Sequence, residues 1–316
     1  MVRIWILIFN PPVHSTRTKR NHTMWLIPVF FRIIFAYLIA PGLIKKMTDE
    51  PARTRKLVWQ FGLAAIFAVG LAVLAGANLA DPRIAIVLLI GAVNAFACYC
   101  QWRAMAISLS KTSIFTQADD LIAIGLGYIF LNEASFVGLG LGIGIALAIG
   151  SALLLSVVKS RGSKNSVQGK NERSLLMWVG AYSLIWGGAM FSYRWFAVQN
   201  VSPFAFMAAW YAGSFVGAVG VYFAMGKEEA GHPLTRRQTS IVACLAVVIV
   251  ASNLAAYWTT VFAPITVAQP IFQIAEMVFP TLIGLYVFKE KKDLGRIDKL
   301  AFAVGMAGGV IIALSY

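Results

Sequence analysis

The sequence predicts an all-α membrane protein of ten transmembrane helices, arranged as two inverted-topology five-helix repeats. Three observations predict it. Of the 316 residues, 59% are hydrophobic and 13% charged, and the mean hydropathy of +0.75 is far too high for a soluble globular chain. The apolar residues gather into ten runs, each close to the roughly 20 residues that cross about 30 Å of hydrocarbon. Finally, a shift of 157 residues lays parts of the second half of the chain on the first.

The first repeat, residues 24–158, holds runs near 25–44, 57–77, 84–108, 112–131 and 136–158. A basic linker over 159–173 leads to the second repeat, 174–316, with runs near 174–198, 204–226, 238–263, 265–288 and 299–315. Pro264 separates the eighth run from the ninth, because a proline disfavours helix at the residue before it. Residues 1–23 form an N-terminal extension whose apolar piece VRIWILIFN is too short to span. Its basic cluster follows the apolar stretch instead of preceding it, which makes a poor signal peptide, so Met24 is the expected start.

A net charge of +14 invites a nucleic-acid reading, but 19 of the 27 Lys and Arg residues lie in or beside five short connectors between apolar runs. Connectors 45–56, 109–111, 159–173, 227–237 and 289–298 carry them, whereas the four alternate connectors hold only Arg83. Cationic loops stay on the cytoplasmic side. The expected location is therefore the cell membrane, with the lipid bilayer as partner, no nucleic acid, and both chain ends on the far side.

YIFLNE (128–133) falls on LYVFKE (285–290), Gly127 on Gly284 and Asp119 on Glu276. Because each half has an odd number of spans, the second copy enters the membrane in the opposite sense, an arrangement that builds a central site at the repeat interface. Small residues should let spans touch closely at Gly142, Ala146 and Gly150, at Gly213 and Gly217, and at Gly305 and Gly309. The glycine row of the fifth span lacks dinucleotide-loop spacing and belongs to helix packing.

Asp119 and Glu276 each sit in the middle of a span, 14 residues before a closing Glu133 or Glu290. A carboxylate at that depth costs about 2.5–3.5 kcal/mol on insertion scales, so it faces water or a partner and marks a pathway. In the ninth span, Thr266, Gln269, Gln273, Glu276 and Pro280 recur every three or four residues and share one face. The fourth span carries Thr112, Thr116 and Asp119 on one face, with Ser113, Gln117 and Asp120 beside it. These stripes should face each other across a wet cavity, since lipid would leave their amides and carboxylates unpaired. A sealed packing cluster is the bland alternative, and Asp120 is evenly balanced between that and a pathway role. Burial and mutual proximity both disfavour the carboxylate charge, so proton exchange against a cationic or zwitterionic small-molecule substrate is an expected mechanism.

Arg103, Arg194 and Arg32 lie near predicted span ends, where snorkelling is the default. Arg103 is also placed to pair with Asp119 or Asp120 or to hold a substrate carboxylate. Trp186, Asn94, Asn253 and Trp258 suit a pocket for flat or apolar solutes with a few polar anchors, against a default role in packing. Cys98, Cys100 and Cys244 all fall in spans, which argues for free, buried thiols and against disulfides or thiolate metal sites. No cofactor or metal motif is present. A membrane-embedded lipid-modifying enzyme is the rival reading, but the three histidines lie in a tail or loop and no HExxH or GxSxG motif occurs. A channel is the other rival, and no filter-like loop interrupts the spans.

LNEASFVGLGLGIGIALAIG (131–150) and FKEKKDLGRIDKLAFAVGMAGGV (288–310) each join an acidic end of one span to a Gly-rich following span. With Trp186-Gly187 and the mid-span Glu276, these motifs resemble the EamA-like ten-helix members of the drug/metabolite transporter superfamily over residues 84–316. The resemblance implies secondary transport, commonly export, of small metabolites or toxic compounds from a cavity between the repeats. Two departures are present: the first span lacks a Trp-Gly pair, and relatives usually keep both termini inside.

Overall fold

The computed structural model describes residues 25–48, 52–133, 138–140, 142–144, 146–147, 150–151, 154, 167–226, 233–289 and 296–314. The extension before Trp25, the basic linker up to 166 and Glu290 lie outside the described residues. Among those described the chain is helical, with no strand, and eight helices are long and apolar enough to cross a membrane. They are α1 (Leu26–Thr48), α2 (Arg53–Leu74), α3 (Arg83–Ile107), α4 (Leu109–Leu131), α5 (Val167–Val198), α6 (Pro203–Met225), α7 (Arg236–Phe262) and α8 (Ile265–Val287). A further helix, α9 (Arg296–Leu314), follows, and the described positions between 139 and 154 are helical. Large apolar side chains such as Ile66, Leu74, Leu184 and Phe223 point outward, as expected where the surroundings are lipid. This is a multi-pass membrane protein.

Local chemistry sets the helix ends. Thr235 caps α7 through a reciprocal box, its hydroxyl accepting from Gln238 N while the Gln238 side chain accepts from Thr235 N. Pro203 occupies the first turn of α6, where a missing N–H costs nothing. Ser108 caps α4 by accepting from Lys111 N at 3.3 Å.

Three helices are irregular where they cross the middle of the bundle. α1 runs as π-helix over Ile33–Ile39, directly after Arg32. α4 is broken at Thr116, so that Asp119 and Asp120 stand in the first turn of its second half, Gln117–Leu131. α8 contains Pro270 and Pro280 and passes into π-helix at Ile283–Val287. A proline removes one backbone donor and crowds the preceding turn, which displaces the hydrogen-bond ladder.

α6 lies against α2 and α3; α5 against α3 and α4; α7 against α1, α2 and α5; and α8 against α1, α4 and α9. The expected close approach is present at Gly213 and Gly217, where a Cβ would collide with the backbone carbonyls of Leu88 and Ala92 on α3. The same seam puts Gly91 against Trp210 and lets the Ser214 hydroxyl donate to Gly91 O at 3.0 Å. Gly305 likewise meets Ser151 and Met277. Gly142 and Gly150, also expected to pack, have no atom of another described residue within 4 Å of where a Cβ would stand. Cys98 and Cys100 are free as expected, Cys98 half-buried and Cys100 buried. Cys244 is free but exposed on α7, because it falls on that helix's outer face.

Candidate functional site

A central cavity of about 100 Å³ takes lining residues from α1 to α8. Its polar wall includes Arg32, Gln60, Asn94, Thr116, Asn253 and Glu276, and its aromatic wall Tyr37, Trp102, Tyr182, Trp186 and Tyr211. Sequence reasoning placed Glu276, Thr116, Asn94, Asn253 and Trp186 among the candidates, and all of these line the cavity.

Arg32 was expected to snorkel; instead it is 5% exposed at the centre of the bundle. Its Nη1 donates to Ser252 Oγ and to Asn253 Oδ1, both at 2.7 Å, and its guanidinium lies 5.4 Å from the Tyr37 ring and 5.8 Å from that of Phe272. Its Nε has no partner. Asn253 passes the network on by donating to Tyr211 Oη at 2.7 Å, which donates to Ile249 O at 2.8 Å. The available signal was that Arg32 stands seven residues from its predicted span end, against five for Arg103 and four for Arg194, and the partners that hold it come from α7.

The two polar stripes meet directly. One carboxylate oxygen from each of Asp119, Asp120 and Glu276 lies within 4.8 Å of the other two, and all three residues are buried. Gln269 donates to Asp120 across the α4–α8 contact, and Thr116 lies in hydrogen-bonding reach of Glu276. Arg32 is close enough to interact electrostatically with Asp120 and Glu276. The expectation of a hollow separating the stripes is corrected, because Glu276 and Thr116 line the cavity while Asp119, Asp120, Gln117, Gln269 and Gln273 pack behind them. Gly187 lets α5 close on α4 beside the acids: a Cβ there would lie 2.7 Å from Asp119 O and 2.7 Å from Ile122 Cβ.

Other candidates stand apart. Arg103 reaches the Trp178 ring at 5.5 Å instead of the acids. Trp258 packs edge-on against Phe204 at 5.8 Å and lines a separate apolar groove with Ile27, Phe31 and Phe35. In both cases the side chain's face of its helix points away from the cavity. Arg194, also expected to snorkel, donates to Glu133 Oε1 at 3.0 Å and to Thr260 O at 2.6 Å. Glu133 Oε2 in turn accepts from the Thr266 backbone and hydroxyl at 3.4 Å, so one closing Glu ties α4, α5, α7 and α8 together.

From Trp186 in the cavity wall, rings continue through Trp210 (6.2 Å), Tyr193 (5.1 Å), Phe206 (5.0 Å) and Tyr257 (4.7 Å). The series ends where the Tyr257 hydroxyl donates to Val201 O at 2.8 Å, in the connector between α5 and α6. Edge-to-face pairs of this kind add about 0.5–1.5 kcal/mol each beyond their burial. Together they fill the space between the cavity and that connector with buried aromatic side chains.

No protein-family model and no curated protein matches the chain. Among solved structures, one described as "Crystal structure of protein" aligns with a TM-score of 0.63 at 14% identity, covering 92% of this chain and 96% of that one. At that identity the likeness concerns the fold alone.

Proposed function

We propose that this chain is a secondary active transporter of the cytoplasmic membrane that moves a small organic metabolite or toxic compound by alternating access. The observation that carries the proposal is the central cavity, where Arg32 and Glu276 place a cationic and an acidic group beside flat aromatic walls. A zwitterionic or cationic solute with a planar or apolar body fits that chemistry. Proton-coupled export is the proposed mode.

The helix packing supports the ten-span inverted repeat. If α1 to α4 correspond to α5 to α8, the α3–α6 contact has its counterpart in α7–α2, α4–α5 in α8–α1, and α3–α5 in α7–α1; each of these contacts is present. Such pseudo-symmetry lets one bundle open to either side around a fixed site. The cavity reaches Ile44 and Met105, close to the basic connectors 45–56 and 109–111, while buried aromatic side chains fill the space between it and the connector of α5 and α6. With the basic connectors in the cytoplasm, this arrangement corresponds to an inward-facing state.

Counterflow in proteoliposomes tests the proposal. Uptake accelerated by solute preloaded on the trans side supports a carrier; passive conductance or a covalent product refutes it. Solutes for the assay come from a metabolite-resistance and export screen comparing wild type with Glu276→Ala. A reporter fused to the C-terminus tests the orientation, and a cytoplasmic signal refutes the charge-based assignment.

A further inference from the structure

Three carboxylates share one small volume inside the membrane, more than a single proton-carrying acid at Glu276 would require. Among the described residues Arg32 is the cation acting on Asp120 and Glu276, and one guanidinium does not balance three ionised carboxylates. A second observation comes from Gln269, which is 1% exposed and directed at the cluster through its bond to Asp120. Its Oε1 has no partner, and neither do Asp119 Oδ2 and Asp120 Oδ2. Gln273, one turn along the same face of α8, is also buried, with both side-chain polar atoms unpartnered. Acceptor atoms left over beside these bonds call for added positive charge, supplied by a proton or by a metal ion.

The spacing selects its size. Three oxygens no more than 4.8 Å apart can all stand within about 2.8 Å of one central point, 4.8 Å divided by the square root of three. Calcium–oxygen distances are about 2.3–2.6 Å and magnesium–oxygen distances about 2.0–2.1 Å, so the larger ion needs the smaller side-chain adjustment. The all-oxygen donor set suits a hard divalent cation and disfavours zinc or copper. The geometry points to a binding site for a calcium-sized divalent cation between α4 and α8, formed by Asp119, Asp120 and Glu276, to which Gln269 adds its amide oxygen once the amide turns over and releases Asp120. The second half of α4 begins at Gln117, so its N-terminal partial charge bears on Asp119 and Asp120 and lowers the cost of holding them before the ion arrives. Glu276 belongs to both the cluster and the cavity wall, which makes it the entry route.

The site is tested on the purified full chain in detergent, independently of any transport assay. Tb³⁺ serves as a calcium-sized luminescent probe, with Tyr37 and Tyr182, both within electrostatic range of the acids, as sensitisers. The expected result is saturable luminescence displaced by Ca²⁺ at a concentration at least tenfold below that needed for Mg²⁺. Asp120→Asn and Gln269→Leu should each weaken binding at least tenfold while retaining wild-type helical circular dichroism. Absence of saturable luminescence in the wild type, or equal displacement by both ions, overturns the proposal. Should both variants lose their helical signal, wild-type Ca²⁺-against-Mg²⁺ competition and Ca²⁺-dependent thermal stabilisation decide alone. Failure of this site with successful counterflow would leave the transporter reading standing, and the reverse outcome would leave the site standing.

Discussion

Replacing Glu276 with Gln should abolish pH-driven flux without destabilising the protein, a combination that a purely structural glutamate would not produce. The carboxylate oxygens of Glu276, Asp119 and Asp120 lie within 4.8 Å of one another. At that separation and an effective dielectric of about 20, two ionised carboxylates repel by about 3 kcal/mol. Gln keeps the shape and one acceptor while removing the charge, so the lost Thr116 interaction is offset by relief of up to that repulsion toward each aspartate. In chelator-containing buffer the unfolding temperature of Glu276→Gln should equal or exceed that of wild type. In proteoliposomes with an imposed pH gradient, its solute flux should fall to the level of empty vesicles. Unchanged flux, or an unfolding temperature several degrees lower, would refute the reasoning.

Other perturbations follow from the same geometry. Arg32→Met removes the donor to Ser252 and Asn253 and the cation above Tyr37, and should lower stability by about 3 kcal/mol, read by denaturant unfolding in detergent. Gly213→Val drives a side chain into the Leu88 backbone and should cost about 3 kcal/mol by forcing α3 and α6 apart, seen as a lower midpoint of the same unfolding curve. Asp81, in the connector before α3, is bound by Arg83 at 2.6 Å, which holds its carboxyl below the ordinary value of 3.8. The pair's contribution is therefore complete above that value and lost as pH falls through the lower folded-state value. The unfolding temperatures of wild type and Asp81→Asn should accordingly converge below about pH 3.8 and stay separated by a constant, small gap at higher pH.

Hydropathy is a local property, and the spans were legible for that reason. The apolar stretches of the eight long helices start and stop within a few residues of the expected runs, from Arg83–Ile107 against 84–108 to Ile265–Val287 against 265–288, with α5 spanning from Arg173. The expense of Asp119 and Glu276 was equally local, because hydrocarbon penalises a carboxylate whichever neighbour eventually compensates it. Periodicity also placed Gln269, Gln273 and Glu276 on one face of α8, and the structure turns that face toward α4.

What a helix's neighbours do to it lies beyond such reading. Arg32, Arg103 and Arg194 look alike in the sequence, as basic residues in apolar runs. Yet one anchors the cavity through Ser252 and Asn253, one covers Trp178, and one joins Glu133 to Thr260. Trp186 and Trp258 were both candidates, and helix rotation sent the first into the cavity and the second to an outer groove. The sequence by itself determined that this chain inserts into a membrane as a set of spans and that two of them carry buried acid. Only the tertiary structure decided that Asp120 joins those acids, that Gln269 closes on them and that Arg32 faces them. Those outcomes depend on the angle at which each helix presents its faces, and that angle is set by contacts among residues far apart in the chain.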